Sequence, residues 1–248
     1  MNGIRLALSW LTVLPVRGPE EVDRAAAARA IGWAPAVGIL LGCATAGLVW
    51  VLGLAGAPWL LAGFVAVAGL ALITRGMHID GLADTMDGLG SYGPPERARE
   101  IMKSGGAGPF GVAALVFAIA VQAVSFAALA GAGRWLAVVV AVAVGRVAVV
   151  LACRRGIEAA PGAGFGALVA GTQPVAAGVV WSGIALVAAV FATGDHWQGP
   201  VAVFAALGLA GVLVRHCVRR FGGLNGDVLG AALEVSVAVA AGILTFGV

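Results

Sequence analysis

Seven stretches of the chain, at about 31–55, 57–74, 108–131, 135–152, 175–193, 200–216 and 229–247, run with almost no charged residue. Each approaches the roughly 17 to 25 apolar residues that a helix needs to cross a bilayer. The pattern predicts an all-α, polytopic membrane bundle of about seven transmembrane helices, with residues 1–248 as a single membrane-embedded domain. Gly and Ala dominate every stretch, so the helices should meet by close backbone approach rather than through large interlocking side chains. Composition agrees: 61% of residues are hydrophobic and 11% charged, where a soluble domain carries about a quarter charged. The N-terminal MNGIRLALSWLTVLPVRG superficially resembles a signal peptide but has no A-x-A-like cleavage site before Pro15 and Arg17. It reads instead as an interfacial amphipathic helix with Trp10 as its anchor.

The basic residues orient the bundle. With a cytoplasmic N-terminus, the inside segments carry Arg5, Arg17, Arg24, Arg29, Arg75, Arg97, Arg99, Lys103, Arg154, Arg155, Arg215, Arg219 and Arg220, which is 13 of the 15 Lys and Arg residues. Arg134 falls outside and Arg146 within a span, a strong positive-inside pattern that supports an odd number of spans. Residues 75–107, 153–174 and 217–228 then share the cytoplasmic side, so the polar clusters face one compartment. A channel has reason to spread polar groups through the membrane; an enzyme with cytosolic substrates has reason to gather them at one face. The lipid bilayer is thus one partner, and a net charge of +3 gives no argument for nucleic acid. Cys43, Cys153 and Cys217 have no ligand spacing and read as small packing residues.

Against this apolar background, HIDGLADTMDG at 78–88 gathers Asp80, Asp84 and Asp87. Their i, i+4, i+7 spacing puts them on one helical face. Carboxylates so close repel each other, so a cation should sit among them. Oxygen donors on a helix suit Mg²⁺ or Mn²⁺, which bind one or two carboxylates together with water and substrate phosphate. Gly81 and Gly88 leave room beside the acids for a ligand or another backbone. The plain alternative is a solvated acidic face; it loses weight because these three are a quarter of all 12 acidic residues and directly follow an apolar stretch.

A second polar stretch, GGLNGDVLGAALEV at 222–235, enters the last span with Asp227 and Glu234 seven residues apart, again on one face. Glu234 should lie about two turns into the bilayer, where a carboxylate is costly and therefore suggests function; a hydrogen-bonded structural Glu is the alternative. Arg146 is a candidate partner for Glu234 or for substrate phosphate. Gly222, Gly223 and Gly226 could form a tight loop whose helix N-terminal amides face an anion. Arg75, His78 and Lys103 flank the first cluster and could hold phosphate oxygens, or simply snorkel. Divalent metal held by acids beside basic groups is equipment for phosphoryl or pyrophosphoryl transfer.

At these residues the chain resembles the adenosylcobinamide-GDP ribazoletransferase (cobalamin synthase) family. HIDGLADTMDG resembles H-x-D-G-x-A-D-T-x-D-G, and GGLNGDVLGAALE resembles G-G-x-T-G-D-x-x-G-A-x-x-E; LSWLTVLPV, WAPAVGILLG and REIMKSGGAGPFG support the match in the same order. The resemblance implies a Mg²⁺-dependent enzyme of the bacterial inner membrane with its active site facing the cytoplasm. It would join adenosylcobinamide-GDP to α-ribazole or α-ribazole 5′-phosphate, release GMP, and form adenosylcobalamin or its 5′-phosphate. Asp80, Asp84, Asp87, Asp227 and Glu234 would then serve the metal, Asp84 as proton acceptor, and Arg75, His78, Lys103, Arg146 and Asn225 the substrates. Two departures stand out: no acidic residue follows Lys103, where SGGAG stands, and Asn225 replaces the usual Thr. A CDP-alcohol phosphotransferase would need Arg after the GLA alanine, where Asp84 stands, and a divalent-cation transporter would need acids spread across the spans.

Overall fold

The computed structural model describes residues 3–18 and 21–248. In chain order these form α1 (Gly3–Leu11), α2 (Arg24–Gly32), α3 (Ala34–Leu54), α4 (Trp59–Ile73), α5 (Met77–Gly90) and α6 (Pro95–Met102). The second half continues with α7 (Pro109–Gly131), α8 (Trp135–Ala152), α9 (Gly164–Val169), α10 (Val175–Val190), α11 (Gln198–Phe221) and α12 (Gly226–Leu244). Helices α3, α7, α8, α11 and α12 are each long and apolar enough to cross a membrane. α4 and α10 are equally apolar but only 15 and 16 residues long, roughly 22 and 24 Å at 1.5 Å per residue. These seven helices correspond one for one to the seven apolar stretches, and the protein is a multi-pass membrane bundle.

α8 is the axis of the bundle, 78% buried, with α3, α10, α11 and α12 packed around it. Small residues set the separations, as the composition predicts. A β-carbon at Gly42 of α3 would lie 2.9 Å from the Val139 Cα, and one at Gly145 of α8 would lie 3.0 Å from the Leu233 carbonyl oxygen of α12. Gly63 of α4 lies tighter still against the Ala123 carbonyl of α7.

Two consecutive left-handed residues, Arg75 (φ 58°) and Gly76 (φ 69°), end α4 and turn α5 by 92°. An L residue rarely adopts this conformation. Arg75 is held in it by donating to the Ser9 and Thr12 carbonyls at 3.1 and 2.8 Å, beside the end of α1. α5 is thereby laid against the N-terminal turns of α7 and α12, with α6 beside it. α1, α2 and α9 pack at the same end of the bundle. Trp10, the ring expected to anchor α1 in the interface, is partly buried and makes an edge-to-face contact with Phe165 of α9 at 5.2 Å. Residues 1–2 of that predicted interfacial segment lie outside the described residues.

The chain after α8 is stitched to the turn before α12: Ala160 N–H donates to the Leu224 carbonyl at 2.9 Å and Leu224 N–H to the Glu158 carbonyl at 2.8 Å. At the opposite end, Arg134 donates to the Leu244 and Gly247 carbonyls and Gln198 to those of Ile243 and Phe246, closing the C-terminus of α12. Cys153 and Cys217 are buried and unpaired.

Candidate active site at the carboxylate face

Two glycines bring the carboxylates of α5 and α12 together. A β-carbon at Gly81 would lie 2.8 Å from the Asp227 carbonyl oxygen, and one at Gly230 would lie 3.0 Å from the His78 carbonyl oxygen. α5 and α12 thus touch backbone to backbone, and Gly81 admits a neighbouring helix, one of its two predicted uses. Gly88 admits the Met102 side chain of α6, to which a β-carbon would approach within 2.7 Å. Asp80 is exposed; Asp84 and Asp227 are half-buried. The three carboxylates act on one another electrostatically, and Lys103 acts on Asp227.

Asp87, expected to serve the metal, has backbone partners within the protein. Buried against the start of α7, it accepts hydrogen bonds from Gly108 N–H at 2.6 Å and Gly111 N–H at 2.9 Å. These are amides that a helix start leaves unpaired, so Asp87 caps α7 from the neighbouring helix, with one hydrogen bond to each carboxylate oxygen. The same contact explains the last glycine of the SGGAG run after Lys103. A β-carbon at Gly108 would lie 2.6 Å from an Asp87 oxygen, so a bare glycine at 108 is what this approach requires.

Glu234 is also set apart. Seven residues below Asp227 on α12, it lies roughly 10 Å further along the helix, too far to share one ion with Asp227. It accepts a 2.7 Å hydrogen bond from the Gln122 amide of α7. Arg146, its expected partner, is buried in α8, donates to the Val142 carbonyl of its own helix at 3.3 Å, and leaves its Nε without a hydrogen-bond partner. The two charges act on each other at longer range without an ion pair. Sequence reasoning missed Gln122, a single amide in an apolar helix, although its presence in a span was the available signal. Arg75 serves α1, as described, and His78 is buried against α12 at Gly230.

Asn225 is the N-cap of α12, its side-chain oxygen accepting from Val228 N–H at 2.9 Å and its amide donating to Asp227 at 3.3 Å. Asn therefore does here what Thr would do at the same position. Beside it lies a cavity of about 210 Å³ bounded by Arg99, Lys103, Gly162, Phe165, Gly226 and Asp227. The Lys103 ammonium reaches the carbonyl of Gly162, another residue of its lining, at 3.5 Å. The loop at Pro161–Phe165 was not expected at the site; its PGAGFG composition marks a turn but says nothing of where the turn docks.

Among the described residues no three His, Cys, Asp or Glu side chains form a ready-made metal cage. Mg²⁺ does not demand one, since it keeps water and takes substrate phosphate oxygens. Asp80, Asp84 and Asp227 are the fitting donors: hard oxygens that repel one another, while the ion pairs among the described residues, Arg97–Glu100 and Arg99–Glu96, lie on α6.

Comparison with known proteins adds the family. Residues 3–245 match the family described as Cobalamin-5-phosphate synthase. A protein of Corynebacterium efficiens named adenosylcobinamide-GDP ribazoletransferase is 40% identical, over 97% of this chain and 90% of its own. Proteins of the same name are 38% identical in Frankia casuarinae, over 94% and 91%, and 34% identical in Pseudomonas fluorescens, over 97% and 98%. No solved structure matches.

Proposed function

The chain belongs to the cobalamin-5-phosphate synthase family, and we propose that it joins adenosylcobinamide-GDP to α-ribazole or α-ribazole 5′-phosphate, releasing GMP. The observation that carries this reading is the meeting of Asp80 and Asp84 from α5 with Asp227 from α12, beside a cavity edged by Lys103. Asp80, Asp84 and Asp227 would hold Mg²⁺, which when bound neutralises phosphate oxygens and eases departure of the leaving phosphate.

The protein's own groups do the rest. Asp84, half-buried between the other two acids, accepts the proton of the ribazole ribose hydroxyl as that oxygen attacks the phosphorus linked to cobinamide. The new P–O bond forms as the bridging P–O bond to GMP breaks, and GMP leaves with the bridging oxygen. Lys103 and the first amides of α12 at Gly226 and Asp227 face the cavity and hold a substrate phosphate there. Arg99, tied to the Phe221 carbonyl at 2.7 Å, fixes α6 and with it Lys103.

The enzyme sits in the bacterial inner membrane with this face toward the cytoplasm. The support is the 13 of 15 Lys and Arg residues assigned to that side. The test is direct. Purified protein is incubated with adenosylcobinamide-GDP and α-ribazole 5′-phosphate, with Mg²⁺ or with EDTA, and corrinoids and GMP are followed by mass spectrometry. Mg²⁺-dependent formation of adenosylcobalamin 5′-phosphate supports the proposal. Folded protein that makes no product refutes it, and equal turnover in EDTA refutes the metal.

A further inference from the structure

At the end of the bundle that carries the carboxylates, α8 and α11 pack side by side and both stop, at Ala152 and Phe221. Arg154, just past α8, lines a crevice against Leu207, Gly211 and Val214 of α11. Its guanidinium donates to the Leu151 carbonyl at 3.1 Å, which uses one of five N–H donors. Gly211, Arg215 and Arg219 follow at four-residue intervals and are all exposed, so they form one column up α11 from that crevice. Toward the membrane centre the same face presents Phe204, 77% exposed, then Gly208 and Val212.

Arg154, Arg215 and Arg219 have no carboxylate partner among the described residues, where the ion pairs are confined to α6. Neighbouring Arg220 is by contrast engaged, donating to the Ser91 carbonyl at 2.9 Å. Glu158, the acid nearest in the following loop, makes no side-chain hydrogen bond or ion pair with any of the three. Single arginines at these positions are accounted for by the helix C-terminal dipoles and by the positive-inside rule. Neither effect accounts for Arg154 lying against Gly211, at the foot of the column that carries Arg215 and Arg219, above an exposed apolar column. Basic groups between transmembrane helices at the bilayer surface do suit an anionic lipid headgroup.

We propose that Arg154, Arg215 and Arg219 hold the headgroup phosphate of an anionic phospholipid whose chains lie along Phe204, Gly208 and Val212. The proposal rests on the membrane-spanning fold and is independent of the reaction. Full-length protein in mixed micelles of phosphatidylglycerol and phosphatidylcholine would be analysed by native mass spectrometry. It is compared with an Arg154→Gln/Arg215→Gln/Arg219→Gln variant and with an Arg5→Gln/Arg17→Gln/Arg29→Gln control that loses equal charge. The wild type and control should retain phosphatidylglycerol in preference, and the first variant should retain roughly tenfold less. No preference in the wild type, or equal loss in the control, would overturn the site in favour of a diffuse surface charge. Should the variant fail to fold, a photoactivatable phosphatidylglycerol on the wild type decides. Crosslinks on the ends of α8 and α11 uphold the site, and crosslinks elsewhere reject it.

Discussion

Gly81 lies against Asp227 so tightly that a β-carbon at 81 would stand 2.8 Å from the Asp227 carbonyl oxygen and 2.9 Å from its Cα. The two halves of the proposed site therefore depend on one missing methyl group. Gly81→Ala should push α5 off α12 and reduce turnover about 100-fold, the scale of a misplacement near 1 Å. Assay of the detergent-purified variant, with circular dichroism to show retained helix, checks this.

The acids of α5 should separate by readout. Asp80→Ala and Asp84→Ala should abolish turnover and leave the thermal midpoint nearly unchanged, since neither side chain has a hydrogen-bond partner among the described residues. Asp87→Ala should instead lower stability by about 1–2 kcal/mol through the lost cap of α7. Thermal unfolding in detergent, run beside the activity assay, distinguishes the two. An unchanged midpoint for Asp87→Ala would remove its capping role.

Gln122→Leu leaves the Glu234 carboxyl without its hydrogen bond inside the bundle. Interhelical hydrogen bonds in membranes contribute about 0.6 kcal/mol, reaching roughly 1.7, so a modest fall in stability is expected, with catalysis following the folded fraction. Glu234→Gln should keep most activity. Loss of turnover at full stability in Glu234→Gln would return Glu234 to the reaction.

Topology can be read independently of chemistry. A reporter fused after Val248 should report the periplasmic side and one inserted at Tyr92, which is 96% exposed, the cytoplasmic side. Both reporters on the same side would mean a miscounted span.

The bundle was legible because bilayer crossing is a property of composition along a segment, and the seven apolar stretches needed no knowledge of their neighbours. The same holds for the shared face of Asp80 and Asp84, which follows from helical spacing. What Asp87, Arg75 and Arg146 do was not legible, because each answer depends on a backbone far away in sequence. Asp87 meets amides at 108 and 111, Arg75 the carbonyls at 9 and 12, and Arg146 stands near an acid that another helix satisfies first. Charge type says that a group needs a partner; the partner is chosen by packing.

The lengths of α4 and α10 bear on the membrane itself. A bilayer's hydrocarbon is about 30 Å thick, and helices of roughly 22 and 24 Å present a shorter oily wall to the lipids beside them. Those lipids must shorten or tilt, at a cost of fractions of a kcal/mol per ångström. α4 ends at the Arg75–Gly76 bend, so such thinning would fall next to α5 and its aspartates. In the proposed orientation, water-borne substrates would then meet Asp80 and Asp84 in a dimple, level with the solvent rather than beneath the oil.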